Sequence, residues 1–176
     1  MIEKAKGADG VTDREVLFKW TAYSLCAALL LFLRTLTLGA LTLWGVLPFL
    51  PPILLVCVAS LEEMRSATIF GLSFGIFCDL TLSAPFPCLY TLAFTLSALL
   101  TAYLASTVFQ NYFLRALSGT ILTFLITDLL CMLALALSGG AAFLPMLSLA
   151  ARETAASLPF LAVYPLFALI RRFFTY

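Results

Sequence analysis

Histidine is absent from the 176 residues, and charge is scarce: ten lysines and arginines and nine aspartates and glutamates make up 11% of the chain. Without imidazole the chain lacks the commonest general base and a principal zinc ligand. The five cysteines, Cys26, Cys57, Cys78, Cys88 and Cys131, stand far apart with no C-x-x-C pair. That spacing argues against zinc or redox chemistry and for small, polarizable packing residues. No serine or cysteine lies in a nucleophile pattern, and no two carboxylates are spaced to share acid and base work, so neither an enzyme nor a cofactor is expected. The basic residues are dispersed, unlike the clustered face of a nucleic-acid binder, which removes nucleic acid as a partner.

What fills the chain instead is apolar. Hydrophobic residues make up 63% of it, and its mean hydropathy is +1.10, far outside the usage of soluble domains. The sequence reads as an all-α integral membrane protein in contact with the lipid bilayer. Each span needs about 20 residues to cross about 30 Å of hydrocarbon, and the apolar runs predict a compact bundle of about six transmembrane helices.

Residues 1–16 mix charges of both signs with glycine and read as a cytoplasmic N-terminal tail without a cleavable signal peptide. Residues 17–176 then form a single polytopic membrane domain. A first helix is expected from about Leu17 to Leu38, with Trp20 and Tyr23 at an interface. Pro48, Pro51 and Pro52 interrupt the next apolar run, so the second span is short and proline-broken, an irregular segment followed by a helix to Leu61. The charged stretch Glu62 to Arg65, "EEMR", reads as a turn in water or the headgroup layer. Further helices are expected at about Ala67–Leu82, Cys88–Val108 and Ala116–Leu137. The last region, from Phe143, reads as a short interfacial piece and then a span to Ile170.

With the N-terminus inside, Lys4, Lys6, Arg14, Lys19, Arg65, Arg115, Arg171 and Arg172 all fall on the cytoplasmic side, which places both termini there. Only Arg34 and Arg152 fall toward the outer side. Asp79 is the sole ionisable charge between Ile69 and Leu82. It follows Gly71 and Gly75 in steps of four, which sets all three on one helix face. The glycines let a neighbouring backbone approach closely, so Asp79 is expected to point toward protein, held by a cation or by hydrogen-bond donors. Arg34 and Arg152 are the candidate cations, while Arg152 and Glu153 have the blander option of the outer headgroup layer. Small residues continue as stripes, Thr91, Thr95, Ala98, Ala102 and Ser106 in one helix and Ala116, Thr120, Thr123, Thr127 and Cys131 in the next, a pattern that favours helix packing over a substrate groove. Asp128 adjoins the second stripe near mid-membrane, where a carboxylate must face the bundle, be neutral or find a partner.

The proline-broken second span, the "EEMR" turn and "GLSFGIFCDL" followed by "SAPFPCLYTLAFTLSALLTAYL" resemble the G-x-x-x-G-x-x-x-D motif and next helix of MreD, the rod-shape-determining membrane protein family of bacteria. The ending "LPFLAVYPLFALIRRFF" is similar too. The resemblance spans about Leu29 to Phe174 and is sharpest over Leu61 to Leu104. Where the family usually has glycine after the proline that follows the motif, this chain has Cys88. The resemblance implies a non-enzymatic inner-membrane subunit of the cell-elongation machinery. Its partners would be MreC and, through it, the glycosyltransferase and transpeptidase that build the lateral wall. The main alternative is the substrate-binding component of an energy-coupling-factor vitamin transporter, whose first-helix A-x-x-x-A pattern is matched here only by Ala22 and Cys26. A proton-coupled transporter using Asp79 and Asp128 would need a polar path for which the sequence offers few residues.

Overall fold

The computed structural model describes residues 13–37, 45–82, 86–107, 111–137, 139 and 143–174, and among them every regular element is helical. The helices are α1 (Asp13–Thr37), α2 (Pro51–Ala59), α3 (Met64–Thr81), α4 (Leu89–Thr107), α5 (Tyr112–Leu137), α6 (Phe143–Ser157) and α7 (Tyr164–Phe174), with a 3-10 stretch at Leu158–Val163 between the last two. The runs Leu89–Thr107, Phe113–Leu137 and Pro145–Phe173 are long and apolar enough to cross a membrane, and Val16–Phe32 forms a shorter apolar helix. Their outward side chains match that environment: Leu25, Phe113 and Leu137 are 66%, 64% and 81% exposed, and apolar surface of this kind calls for lipid or protein against it.

Helix ends follow the punctuation of the chain. Two prolines open α2, where a missing N–H leaves no intrahelical bond unmade, and the Leu50 carbonyl accepts from the Ile53 and Leu54 amides. The second proline of the final region, Pro159, lies in the 3-10 stretch, since its ring cannot sit in a continuous α-helix without removing a hydrogen bond. That region is therefore two helices joined by a 3-10 turn, where an interfacial piece and a single span were expected. Three starts come early: α1 begins at Asp13, within the stretch read as a tail, α3 at Met64, within the stretch read as a turn, and α5 at Tyr112. No proline or glycine stands at 13–16, 64–66 or 112–115 to stop these helices.

The centre of the bundle is α2, all nine of whose residues are buried. Helices α1, α3, α4, α5 and α7 all pack against it. Its rise is only about 13 Å at 1.5 Å per residue. The chain reaches it through residues 45–50, where no α-helix forms. Backbone without helix is tolerated at membrane depth only when protein surrounds it. Pro48 and Leu50 are buried, and the Phe49 amide donates to Ser157 Oγ at 2.9 Å. The Phe49 ring lies 5.8 Å from that of Tyr90 and 6.5 Å from that of Phe124, tying the segment to α4 and α5.

The turn after α2 differs from the expectation of a wholly solvated charge cluster. Glu63, Met64 and Arg65 are exposed, but Glu62 turns inward with only 8% of its side chain accessible. Its Oε2 accepts from Lys19 Nζ at 2.7 Å and its Oε1 from the Tyr23 hydroxyl at 3.0 Å. Tyr23 is wholly buried and stacks on Phe167 of α7 at 6.0 Å, so one carboxylate joins the start of α1 to the end of α2, beside α7. Glu62→Leu should lower stability by an amount near the low end of the about 3–5 kcal/mol expected for breaking a buried pair, because Lys19 keeps part of its surface open. Glu62→Gln, which keeps an acceptor for Tyr23, should cost clearly less. Thermal melting in detergent followed by circular dichroism would check the order, and equal melting of the two variants would show that the pair contributes little.

Candidate functional site

The candidate site is the joint between α3 and α4, and glycine makes it possible. A Cβ added at Gly71 would stand 2.7 Å from Ala98 Cβ and 2.8 Å from the Phe94 carbonyl oxygen. At Gly75 it would stand 2.6 Å from Thr91 Cα and 2.8 Å from the Tyr90 carbonyl oxygen. The two helices thus meet backbone to backbone along the face that the four-residue spacing defines. The Phe74 ring stacks on Phe94 at 5.9 Å and on Phe70 at 5.6 Å, sealing one side of the contact.

One turn beyond Gly75, Asp79 reaches the first turn of α4. Its Oδ1 accepts from the Tyr90 amide at 3.0 Å. Its Oδ2 accepts from the Thr91 amide at 2.8 Å and the Thr91 hydroxyl at 2.5 Å. The first amides of a helix have no partner within it, and a side-chain oxygen normally caps them from the residue just before the helix. Here the cap comes from the preceding helix, eleven and twelve residues upstream. A carboxylate at this place also meets the positive end of the helix dipole. The residue in the usual capping position, Cys88, has φ 63°, a left-handed conformation that suits glycine, and its carbonyl already accepts from the Leu92 amide. Both oxygens of Asp79 are engaged as acceptors of uncharged donors, which is the arrangement of a cap.

The other singled-out residues are placed apart from this joint. Arg152 is exposed on α6 and Glu153 half-buried beside it. Arg34 lies in the last turns of α1, and its side chain falls outside the described residues. Asp128 is half-buried in α5. The stripe on α5 is a packing face: Ala116, Thr120, Thr123 and Thr127 are buried. Each of its three threonine hydroxyls donates to the carbonyl four residues back at 2.7–2.8 Å. On α4 the stripe holds only in part. Ala98 and Ala102 are buried, Ser106 is exposed, and the buried face runs instead through Tyr90, Ala93, Phe94, Ser97 and Thr101. Two contributors went unrecognised in the sequence, Thr91 as the partner of Asp79 and Gly119, whose added Cβ would stand 2.6 Å from Thr101 Cγ2 and 2.9 Å from Val56 Cγ1. The signal for Thr91 was present, since a proline-stopped turn of a few residues must bring the end of one helix to the start of the next. No family model, curated protein or solved structure matches the chain.

The glycine contacts differ in what can yield. Gly75→Ala presses on the backbone of α4, whereas Gly119→Ala presses on methyl groups, so the first should lower the melting temperature in detergent more, with losses in the about 1–3 kcal/mol range of overpacked cores. Equal losses would mean that α4 shifts freely. For the cap, Asp79→Asn keeps one acceptor and should cost about 1 kcal/mol, whereas Asp79→Leu orphans both amides and should cost about 2–4 kcal/mol. Hydrogen exchange at Tyr90 and Thr91 is the sharper measurement, and unchanged protection of those two amides in the leucine variant would rule out the cap.

Proposed function

We propose that the protein is a non-enzymatic subunit of the bacterial cell-elongation machinery, a multi-pass inner-membrane protein that helps couple MreC to the lateral-wall synthases. The observation that carries the reading is the joint itself. The three residues of the motif that resembles MreD, Gly71, Gly75 and Asp79, act together in one contact, two by letting backbones meet and the third by capping the helix so approached. A motif spent on internal docking suits a scaffold, and the residue inventory, without histidine, suits one too.

Six crossings are the count we infer. They are α1, the segment 45–50 with α2, α3, α4, α5, and the run from α6 through α7. The second is the unusual one. Extended chain rises up to about 3.3 Å per residue, so residues 45–50 together with α2 can cover about 30 Å, the thickness of the hydrocarbon. The Lys19–Glu62 pair supports one shared end for the start of α1 and the end of α2. Arg65, Arg115, Arg171 and Arg172 belong to that end by alternation, which makes it cytoplasmic and puts Asp79 near the outer face.

The experiment is complementation in rod-shaped cells lacking their own MreD, with recovery of MreC in mild detergent read alongside. Wild-type chain should restore rods and retain MreC. Asp79→Leu should leave cells round even when it accumulates, and Asp79→Asn should restore at least part of the population. A wild-type chain that accumulates yet neither restores shape nor retains MreC would overturn the reading.

A further inference from the structure

Asp128 and Arg152 are both left without a side-chain partner among the described residues. Asp128 lies within α5, half-buried, and Arg152 lies exposed on α6. Among the described residues no hydrogen bond or ion pair reaches either side chain. Helices α5 and α6 pack together and are joined through residues 138–142, so their depths count from the same side. At 1.5 Å per residue Asp128 and Arg152 each lie about 13 Å along their helices, from Leu137 and from Phe143.

The surface near them is largely apolar, with Ser148 an exposed polar residue one turn before Arg152. Leu125 and Leu129, three residues before and one after Asp128, are 58% and 61% exposed, and Leu147 and Leu149 on α6 are 50% and 54% exposed. An ionic side chain on such a surface within the hydrocarbon is costly unless it meets its complement. The packed α5–α6 pair thus carries one acid and one base at matching depth, each without a partner among the described residues. A two-fold axis along the membrane normal sets the same patch of two subunits against each other at equal depth. It would bring each Asp128 to the other copy's α6.

We propose that the α5–α6 face binds a second copy of this chain, with Asp128 of each copy paired to Arg152 of the other. The apolar residues beside them close the contact by packing, and the two reciprocal pairs fix its register. Nothing in the proposal depends on the cell-elongation reading.

The test uses the full chain, purified and reconstituted in phosphatidylcholine vesicles, with donor and acceptor dyes on C-terminal tags and energy transfer followed as lipid is added. Wild type should associate, and Asp128→Asn and Arg152→Gln should each weaken self-association at least tenfold while keeping wild-type helicity. The decisive arm mixes the two variants. A mixed dimer keeps one of its two ion pairs and neither homodimer keeps any, so the mixture should associate more strongly than either variant alone. Wild type that stays monomeric at every dilution would overturn the proposal. So would a mixture no stronger than its components, because that would place the Asp128–Arg152 interaction within one chain or nowhere.

Discussion

The start of a helix and a buried carboxylate present opposite problems: the first has amides with no acceptor, the second has lone pairs with no donor. Asp79 and the first turn of α4 answer both with three hydrogen bonds. The rest of the α3–α4 unit depends on that contact. Gly71 and Gly75 bring the α4 backbone close enough for a short side chain to reach it, and the left-handed Cys88 turns the chain so that the amides of Tyr90 and Thr91 face back toward α3. Away from water, an unmatched amide or carboxylate costs more than it would at a wet surface. The cap therefore sets both where α4 begins and how it lies on α3.

A second constraint governs the centre. A helix as short as α2 survives because it is buried on every side and its neighbours supply the packing that its length cannot. Glu62 fixes one end of it against α1, and the Phe49 amide with Ser157 fixes the approach to the other against the end of α6. The irregular backbone before α2 and the 3-10 stretch after α6 lie at that second contact. Both breaks in regular helix are thus placed where a side-chain hydroxyl and aromatic rings can surround exposed backbone groups.

Much of this could be read from residue order, for identifiable reasons. Long apolar runs and the prolines between them located the helices, because lipid-compatible helices need uninterrupted apolar length. The Gly71, Gly75, Asp79 register indicated a close-packed face, because a step of four keeps residues on one side of a helix. What could not be read was the identity of the partner. A carboxylate in an apolar run looks in need of a cation, and Arg34 and Arg152 were the cations at its estimated depth. The structure instead supplies backbone amides, which every residue but proline possesses and which leave no mark in composition. Glu62 escaped for the opposite reason. In a dense charged turn all members look solvated, and only the fold reveals that one of four points inward to Lys19 and Tyr23. Gly119 carried no register with other glycines, so its closeness to Val56 and Thr101 had no periodic signal.

The polar groups of this chain therefore divide by whether the fold closes them. Asp79 and Glu62 are closed, by amides and a hydroxyl in one case and by an ammonium and a phenol in the other, and each joins elements of the same chain. The buried threonines of α5 are closed within their own helix and only fill space. Asp128 and Arg152 are closed by nothing among the described residues, although they sit on helices that pack together. A fold that satisfies its first two carboxylates so completely has the means to satisfy a third. That it leaves one acid and one base open among the described residues, on two helices that pack together, is most economically explained by a partner that completes them, and the arrangement that supplies both complements at the right depth without any further chemistry is the same pair of helices on another copy.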